Sequence, residues 1–183
     1  MRSLMIRLGL WLIRRTMRRR PDFIIGGADR PYLLRWYLTP WRAWYRDVPE
    51  AQLTRWQRIV LWCARRLPVV YLHQFLRSDD DRALHDHPWL FNCSVLLAGN
   101  YIEHTISQGG IHHRNHLEAG DIVLRLGRAP HRIELASEHC WTLFIAGPVV
   151  RDWGFHCPKE GWIPWQRFTA TGDPGDIGRG CDA

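Results

Sequence analysis

The stretch SDDDRALHDHPWLFNCSVLLAGN, residues 78–100, carries the pattern that decides the fold. Within it, His85 and His87 lie two positions apart at the start of a segment rich in β-favouring residues. Because side chains alternate between the two faces of a strand, both imidazoles are expected on the same side. A strand with this spacing presents two nitrogen ligands to one metal ion.

The segments around this stretch predict further strands. From residue 69 onward, short β-favouring runs alternate with glycine or polar turns, as in VVYLHQFLR (69–77), NYIEHTI (100–106), DIVLRLG (121–127) and CWTLFIAG (140–147). Eight or so strands at this spacing favour a sandwich, jelly roll or small barrel over alternating strand and helix units. We therefore predict a mainly β fold.

The length of 183 residues supports one core domain with appendages. Residues 1–20 predict a basic amphipathic helix, and apolar residues at helical spacing predict a helical insertion at about 41–68. The tryptophans of this insertion are expected in the core, with a partner-binding or membrane-facing surface as the alternative: Trp41, Trp44, Trp56 and Trp62. Residues 21–168 are assigned to the barrel that contains this insertion. Residues 169–183 lack apolar periodicity and are rich in glycine and aspartate, so we predict a disordered tail.

The formal charge of +7 is concentrated at the start of the chain, since the first twenty residues hold seven arginines. This helix either contacts an anionic membrane or a nucleic acid, or packs on the barrel with its arginines in solvent. Its apolar run, residues 8–13, is too short to cross a bilayer, and no cleavage pattern of a signal peptide follows it.

The five cysteines are an odd number without a CxxC pair. We therefore expect neither a disulfide framework nor a cysteine zinc site. A reducing compartment fits this pattern, so the expected location is cytoplasmic. The basic helix suggests that the protein could in addition be attached peripherally to a membrane.

A third histidine follows a later turn of the chain. Gly120 opens a strand that reaches Gly127, and His131 begins the next strand. Alternate residues line the interior of a small barrel, so we expect His131 to converge there with His85 and His87. Three neutral imidazoles with open coordination positions suit iron, zinc, copper, nickel or manganese.

These stretches resemble the two sequence motifs of the cupin superfamily. HDHPWLFNCSVLLAG (85–99) is similar to the first motif and GDIVLRLGRAPHRIEL (120–135) to the second, and the resemblance covers roughly residues 69–147. The segments SDDDRALHDHPW and WGFHCP also resemble an uncharacterised group of bacterial and phage cupin-like proteins. The resemblance implies a cupin-type double-stranded β-helix (jelly roll), with His85, His87 and His131 as metal ligands, and a homodimer.

The first motif departs from the superfamily pattern at its glutamate, because Phe91 and Asn92 stand where that residue is expected. The fourth protein ligand is therefore Asn92, or Glu103 from the next strand, or absent. Tyr101 shares a strand face with Glu103, and these two residues are the candidates for acid–base catalysis.

Three functions are compatible with this pattern. The first is a mononuclear metal enzyme acting on a small-molecule substrate, an oxidoreductase of the dioxygenase-like type that three-histidine cupins resemble, with iron as the first choice of metal and zinc, nickel or manganese as alternatives. The second is a metal-independent epimerase or isomerase of nucleotide-linked sugars, with a histidine base and a tyrosine acid. The third is a non-catalytic binding module that reaches a membrane or nucleic acid through the basic helix.

Overall fold

The computed structural model describes residues 2–27, 29–45, 48–79, 83–170 and 173–181. The helices are α1 (Arg2–Thr16), α2 (Arg55–Ala64) and α3 (Trp165–Phe168), with short 3-10 turns at Pro40–Arg42 and Glu50–Gln52. The strands β1 to β14 are, in chain order, Phe23–Ile25, Leu33–Tyr37, Val69–Phe75, Leu84–His85, Phe91–Ala98, Asn100–Ile106, His112–Glu118, Ile122–Leu126, His131–Leu135, Cys140–Ala146, Gly154–Cys157, Gly161–Pro164, Thr169–Ala170 and Asp173–Ile177.

Twelve of these strands form two facing sheets. The first has the order β1-β2-β3-β10-β5-β8 and the second has the order β12-β11-β4-β9-β6-β7. The eight central strands, β3 to β10, divide so that β3, β10, β5 and β8 adjoin in one sheet and β4, β9, β6 and β7 in the other. This is the antiparallel strand order of a jelly roll. The predicted double-stranded β-helix with an N-terminal helix and a helical insertion is therefore confirmed.

The hydrophobic core lies between the two sheets. Phe75, Leu96 and Cys140 of the first sheet pack against Tyr101 and Ile133 of the second, and all five are buried. Because alternate residues of each strand point inward, the same interior space receives the polar residues of the candidate site.

Helix α1 covers the outer face of the first sheet. Its Ile13 packs into a cluster with Trp36, Leu72, Leu97 and Trp141. Gly9 permits this close approach, since a Cβ atom there would lie 3.0 Å from Cδ2 of Leu97. Within the described ranges, no helix is long and apolar enough to cross a membrane.

Helix α2 lies between β2 and β3 and begins with a capping box made by Thr54 and Gln57. Ala64 is the one buried residue of this helix, all of which is described, and Trp56 and Trp62 are exposed. The prediction that these two tryptophans belong to the core is wrong. The guanidinium of Arg66 covers the Trp62 ring at 3.4 Å from its centroid, so cation–π contact takes the place of burial.

The C-terminal segment, for which the sequence predicts a disordered tail from residue 169, includes two short strands and a disulfide where the structure describes it. Strands β13 and β14 pair with each other, and the Phe168 ring stacks on that of Phe155 at 3.7 Å between centroids. Cys157 of β11 forms a disulfide with Cys181. The sequence predicted no disulfide framework, and this single bond was not foreseen, because α3 turns the chain back onto β11, which cysteine spacing does not reveal. Residues 171–172 and 182–183 lie outside the described residues.

Candidate metal centre

The structure brings His85, His87 and His131 together inside the barrel. One ring nitrogen from each lies within 4.8 Å of the other two, and among the described residues this is the one group of three or more His, Cys, Asp or Glu side chains with such a geometry. The ring centroids are 5.0 to 5.2 Å apart. The predicted convergence of the three imidazoles is thus present in the fold.

Strand pairing explains why these three residues meet. His85 of β4 is directly opposite His131 of β9, and directly opposed residues project to the same face. The backbone N–H of His87 donates to the carbonyl of Gly127 at 2.8 Å, which keeps the chain extended beyond the end of β4. The extended backbone then places His87 on the same side as His85.

Asp86, between the two strand histidines, faces the opposite way and anchors this segment. Its carboxylate is fully buried and accepts four hydrogen bonds, from the Gly154 backbone N–H at 2.8 Å, Arg151 at 2.8 Å, Trp162 at 3.1 Å and His156 at 3.2 Å. Burial alone would raise the pKa of this carboxyl, but the hydrogen bonds outweigh it and lower the pKa below its ordinary value. Sequence reasoning missed this residue, whose signal was an acidic residue alternating with two histidines.

The electrostatic environment favours the neutral imidazole form that binds metals. Burial lowers the pKa of His87 and His131 well below the ordinary value of 6.5, and the nearby imidazoles and Arg125 lower both further. The Nδ1 atom of His131 lies 3.4 Å from the carbonyl oxygen of Ala129. A proton on this atom is directed to the carbonyl, which leaves Nε2 for a ligand.

The donor set fits a transition metal. Metal–nitrogen bonds of about 2.0–2.1 Å place the nitrogens of a tetrahedral centre about 3.4 Å apart. The three nitrogens, which lie within 4.8 Å of one another, reach that separation after a closure of at most about 1.4 Å. Rotation of the imidazoles supplies such a movement, so three neutral nitrogen ligands are available to one ion.

A cavity of about 360 Å³ opens onto the three histidines. Its walls are mostly aromatic and include Phe75, Trp89, Phe144, Trp153, Phe155 and Trp165, whereas Arg77, Asp79, Ser94 and Arg125 supply polar surface. A second cavity of about 560 Å³, under α2, shares Arg35 and Trp89 with the first. The two cavities therefore adjoin at the wall that these two residues form.

The candidate catalytic residues Glu103 and Tyr101 do not line the metal cavity. The Glu103 carboxylate forms a buried ion pair with Arg125, whose guanidinium also donates to the Tyr101 hydroxyl at 3.4 Å and to Ser94 at 3.2 Å. Burial raises the pKa of Tyr101 to about 12, against the opposing effect of Arg125. In this arrangement Glu103 neutralises the charge of Arg125. Arg125 and Ser94 are the members of the group that face the cavity.

Arg125 is a second residue that sequence reasoning missed. On β8, the apolar Ile122, Leu124 and Leu126 are exposed and Arg125 is buried, the reverse of the usual alternation. A single arginine within the otherwise apolar run IVLRL was the available signal.

Two other buried polar side chains keep unused hydrogen-bonding groups. Both amide atoms of Asn92, which is fully buried, have no hydrogen-bond partner among the described residues. His73 lines the cavity and accepts a hydrogen bond from Arg35 at its Nε2, so that its proton is on Nδ1, which also has no partner there. Buried polar groups are normally satisfied, so these atoms indicate places for water or a ligand.

No family model matches the chain, and no curated protein matches it. Among solved structures, an uncharacterized conserved protein with a double-stranded β-helix domain from Klebsiella pneumoniae is 20% identical over 49% of this chain and 75% of its own, with a TM-score of 0.39. Oxalate decarboxylase of Lactobacillus farciminis is 12% identical over 70% of this chain, with a TM-score of 0.45.

Oxalate decarboxylase of Bacillus subtilis, a protein with Mn(II) centres, is 13% identical over 77% of this chain, with a TM-score of 0.45. The chain spans about a third of the length of these two decarboxylases, 32% and 31%. The order of the strands identifies the architecture independently of these partial likenesses. The chain has the cupin-type double-stranded β-helix fold.

Proposed function

We propose that this protein is a metal-dependent enzyme in which His85, His87 and His131 hold one divalent transition metal and a small molecule reacts in the adjoining cavity. The observation that carries the proposal is the set of three ring nitrogens within 4.8 Å of one another inside a largely aromatic cavity. Imidazoles that are kept neutral by burial have little structural use in an apolar interior, whereas they are the preferred ligands of several transition metals.

A metal held there supplies Lewis-acid or redox chemistry at its open coordination positions. The three uncharged ligands leave the charge of the ion for an anionic or chelating substrate group. Iron, with dioxygenase-like oxidoreductase chemistry, is the first proposal, and zinc, nickel and manganese are the alternatives.

The protein side chains define what the cavity accepts. Trp89, Phe144 and Trp153 exclude water from the space next to the histidines, so a mainly apolar substrate is favoured. The guanidinium of Arg125 lies in the cavity wall, where it can orient a carbonyl or carboxylate oxygen. We propose a small, largely apolar molecule with an oxygen-bearing polar group as the substrate.

The metal-independent epimerase has less support. That reaction requires a tyrosine acid at the substrate, and the candidate Tyr101 is not suited to this role, because its hydroxyl is buried outside the cavity and its pKa is raised to about 12. Among the described residues, Tyr32 is the tyrosine that lines the cavity. A metal centre needs no contribution from Tyr101.

Element analysis of protein purified without an affinity tag tests the proposal. We expect about one transition metal per chain, bound by the wild type and by His113→Ala, and absent from His87→Ala. His113 is an exposed histidine on β7 that bonds Ser107, so its removal controls for the loss of an imidazole elsewhere. The proposal is overturned if anaerobic reconstitution with iron, manganese, nickel and zinc leaves the wild type without metal, or if folded His87→Ala binds metal as the wild type does.

A further inference from the structure

Helix α1 has a second apolar side besides the one that it buries. Gly9, Ile13 and Thr16 are buried against the first sheet, whereas Leu4, Leu8 and Trp11 are 63%, 59% and 61% exposed. At 3.6 residues per turn, these three exposed side chains fall within about 40° of the direction opposite Ile13. They are therefore a separate apolar stripe that faces solvent.

Arginines flank this stripe. Arg7, Arg14, Arg15 and Arg18 are exposed on the same outward side of the helix or just beyond its end, and residues 1–20 contain no acidic residue. Among the residues that the structure describes, Arg2 and Arg19, near the two ends of this segment, are the arginines of residues 1–20 that pair with carboxylates, Glu118 at 2.6 Å and Asp22 at 2.7 Å. The outward side of the helix thus presents positive charge around leucine and tryptophan, most of it at the C-terminal end.

The edge strand β8 extends the apolar surface. Ile122, Leu124 and Leu126 are each more than half exposed. Ile122 pairs with Val95 of β5, and Val95 packs into the cluster beneath α1, so the outward side chains of β8 lie on the side of the barrel that carries this helix. Arg2 links the two elements, because its Nε donates to the carbonyl of Ala119 at 3.1 Å, in the turn before β8.

We propose that this surface, made of Leu4, Leu8 and Trp11 with the α1 arginines and the outward side chains of β8, docks on an anionic lipid bilayer. Tryptophan and leucine side chains enter the boundary between headgroups and acyl chains, while arginines stay at the level of the lipid phosphates. A nucleic acid would engage the arginines and leave six large apolar side chains in water. A bilayer covers both kinds of side chain, which decides between the two partners.

Vesicle flotation of the full chain tests the proposal. We expect binding to phosphatidylcholine vesicles that contain roughly 30 mol % phosphatidylserine, and at least about tenfold weaker binding to pure phosphatidylcholine. The double variant Leu8→Gln with Trp11→Gln loses at least about tenfold in binding, and Arg14→Gln with Arg18→Gln does the same and reduces the salt dependence. Both pairs are exposed, so circular dichroism and metal content stay as in the wild type.

The matched control is Trp56→Gln with Ile59→Gln, which removes two equally exposed apolar side chains from α2 and should leave vesicle binding unchanged. The proposal is overturned if the wild type does not float with anionic vesicles, or if the Leu8 and Trp11 variant floats as well as the wild type. It is also overturned if a duplex DNA or RNA of mixed sequence binds more tightly than the vesicles, with equal affinity for the Leu8 and Trp11 variant.

Discussion

Replacing Asp86 by asparagine tests how the fold directs two of its metal ligands. One carboxylate oxygen accepts from the Gly154 backbone N–H at 2.8 Å, and the other accepts from Arg151, Trp162 and His156 at 2.8 to 3.2 Å. An asparagine keeps one of these oxygens and turns the other into an NH₂ donor. Whichever way the amide is oriented, a donor then faces a donor in a buried site.

The size of the effect follows from the lost bonds. A hydrogen bond to a charged group contributes about 1.5–3 kcal/mol, and the buried carboxylate loses up to three of them. Arg151 and His156 are about one-third exposed at 34% and 38% of their side chains, so water partly replaces their bonds and the lower end applies. At about 1.5 kcal/mol for each of one to three lost bonds, we expect Asp86→Asn to lower the free energy of unfolding by about 1.5–4.5 kcal/mol.

In the same variant, His85 and His87, on either side of residue 86, should no longer be held with both side chains on one face of the extended segment. Because groups that orient ligands typically account for about 10–100-fold in metal affinity, the variant should bind metal that much more weakly. Urea unfolding of the apoprotein and competition with a chelator measure the two effects. Asp152→Asn, an exposed acid nearby, is the control and should change stability by less than about 0.5 kcal/mol. A loss below about 1 kcal/mol together with unchanged metal affinity would refute the anchoring role.

Three further predictions concern other parts of the molecule. Burial lowers the pKa of His87 and His131, so the folded apoprotein binds fewer protons than the unfolded chain. The free energy of unfolding should therefore be largest above about pH 6.5 and fall below it, by up to about 1.4 kcal/mol per pH unit for each imidazole. Urea titrations at several pH values measure this dependence. Glu103→Gln leaves its buried arginine partner uncompensated and should cost about 3–5 kcal/mol in unfolding free energy while metal stoichiometry stays the same; loss of the metal would instead assign Glu103 as a ligand. Replacing Cys157 and Cys181 by serine opens a cross-link between residues 24 apart and should lower stability by about 3 kcal/mol relative to the oxidised wild type; an unchanged unfolding midpoint would exclude a stabilising role.

The fold and the three histidines could be predicted because both depend on local periodicity. His85 and His87 share a face through the two-residue repeat of a strand, and His131 follows a turn marked by Gly127. The number and spacing of the strands left a sandwich, a jelly roll or a small barrel open, and the resemblance to the cupin motifs selected the jelly roll.

Other features depend on contacts between distant segments, which no local pattern contains. Asp86 bonds Trp162 across 76 residues, and Glu103 finds Arg125 only when β6 and β8 face each other across the barrel. Glu103 was assigned as a catalytic or ligand residue from the pattern of its own strand. Its ion-pair partner, Arg125, lies on β8, where the exposed residues are apolar. Likewise, the disulfide of Cys157 required knowledge of the path of α3.

The X-ray absorption spectrum of the metal-loaded protein tests the central claim most directly, because it counts the ligands of the ion. We expect a first shell with three imidazole nitrogens at about 2.0–2.2 Å and oxygen atoms from water or substrate in the remaining positions. In His131→Ala, one imidazole contribution should disappear. A first shell of sulfur, or of oxygen alone without imidazole scattering, would contradict a three-histidine centre.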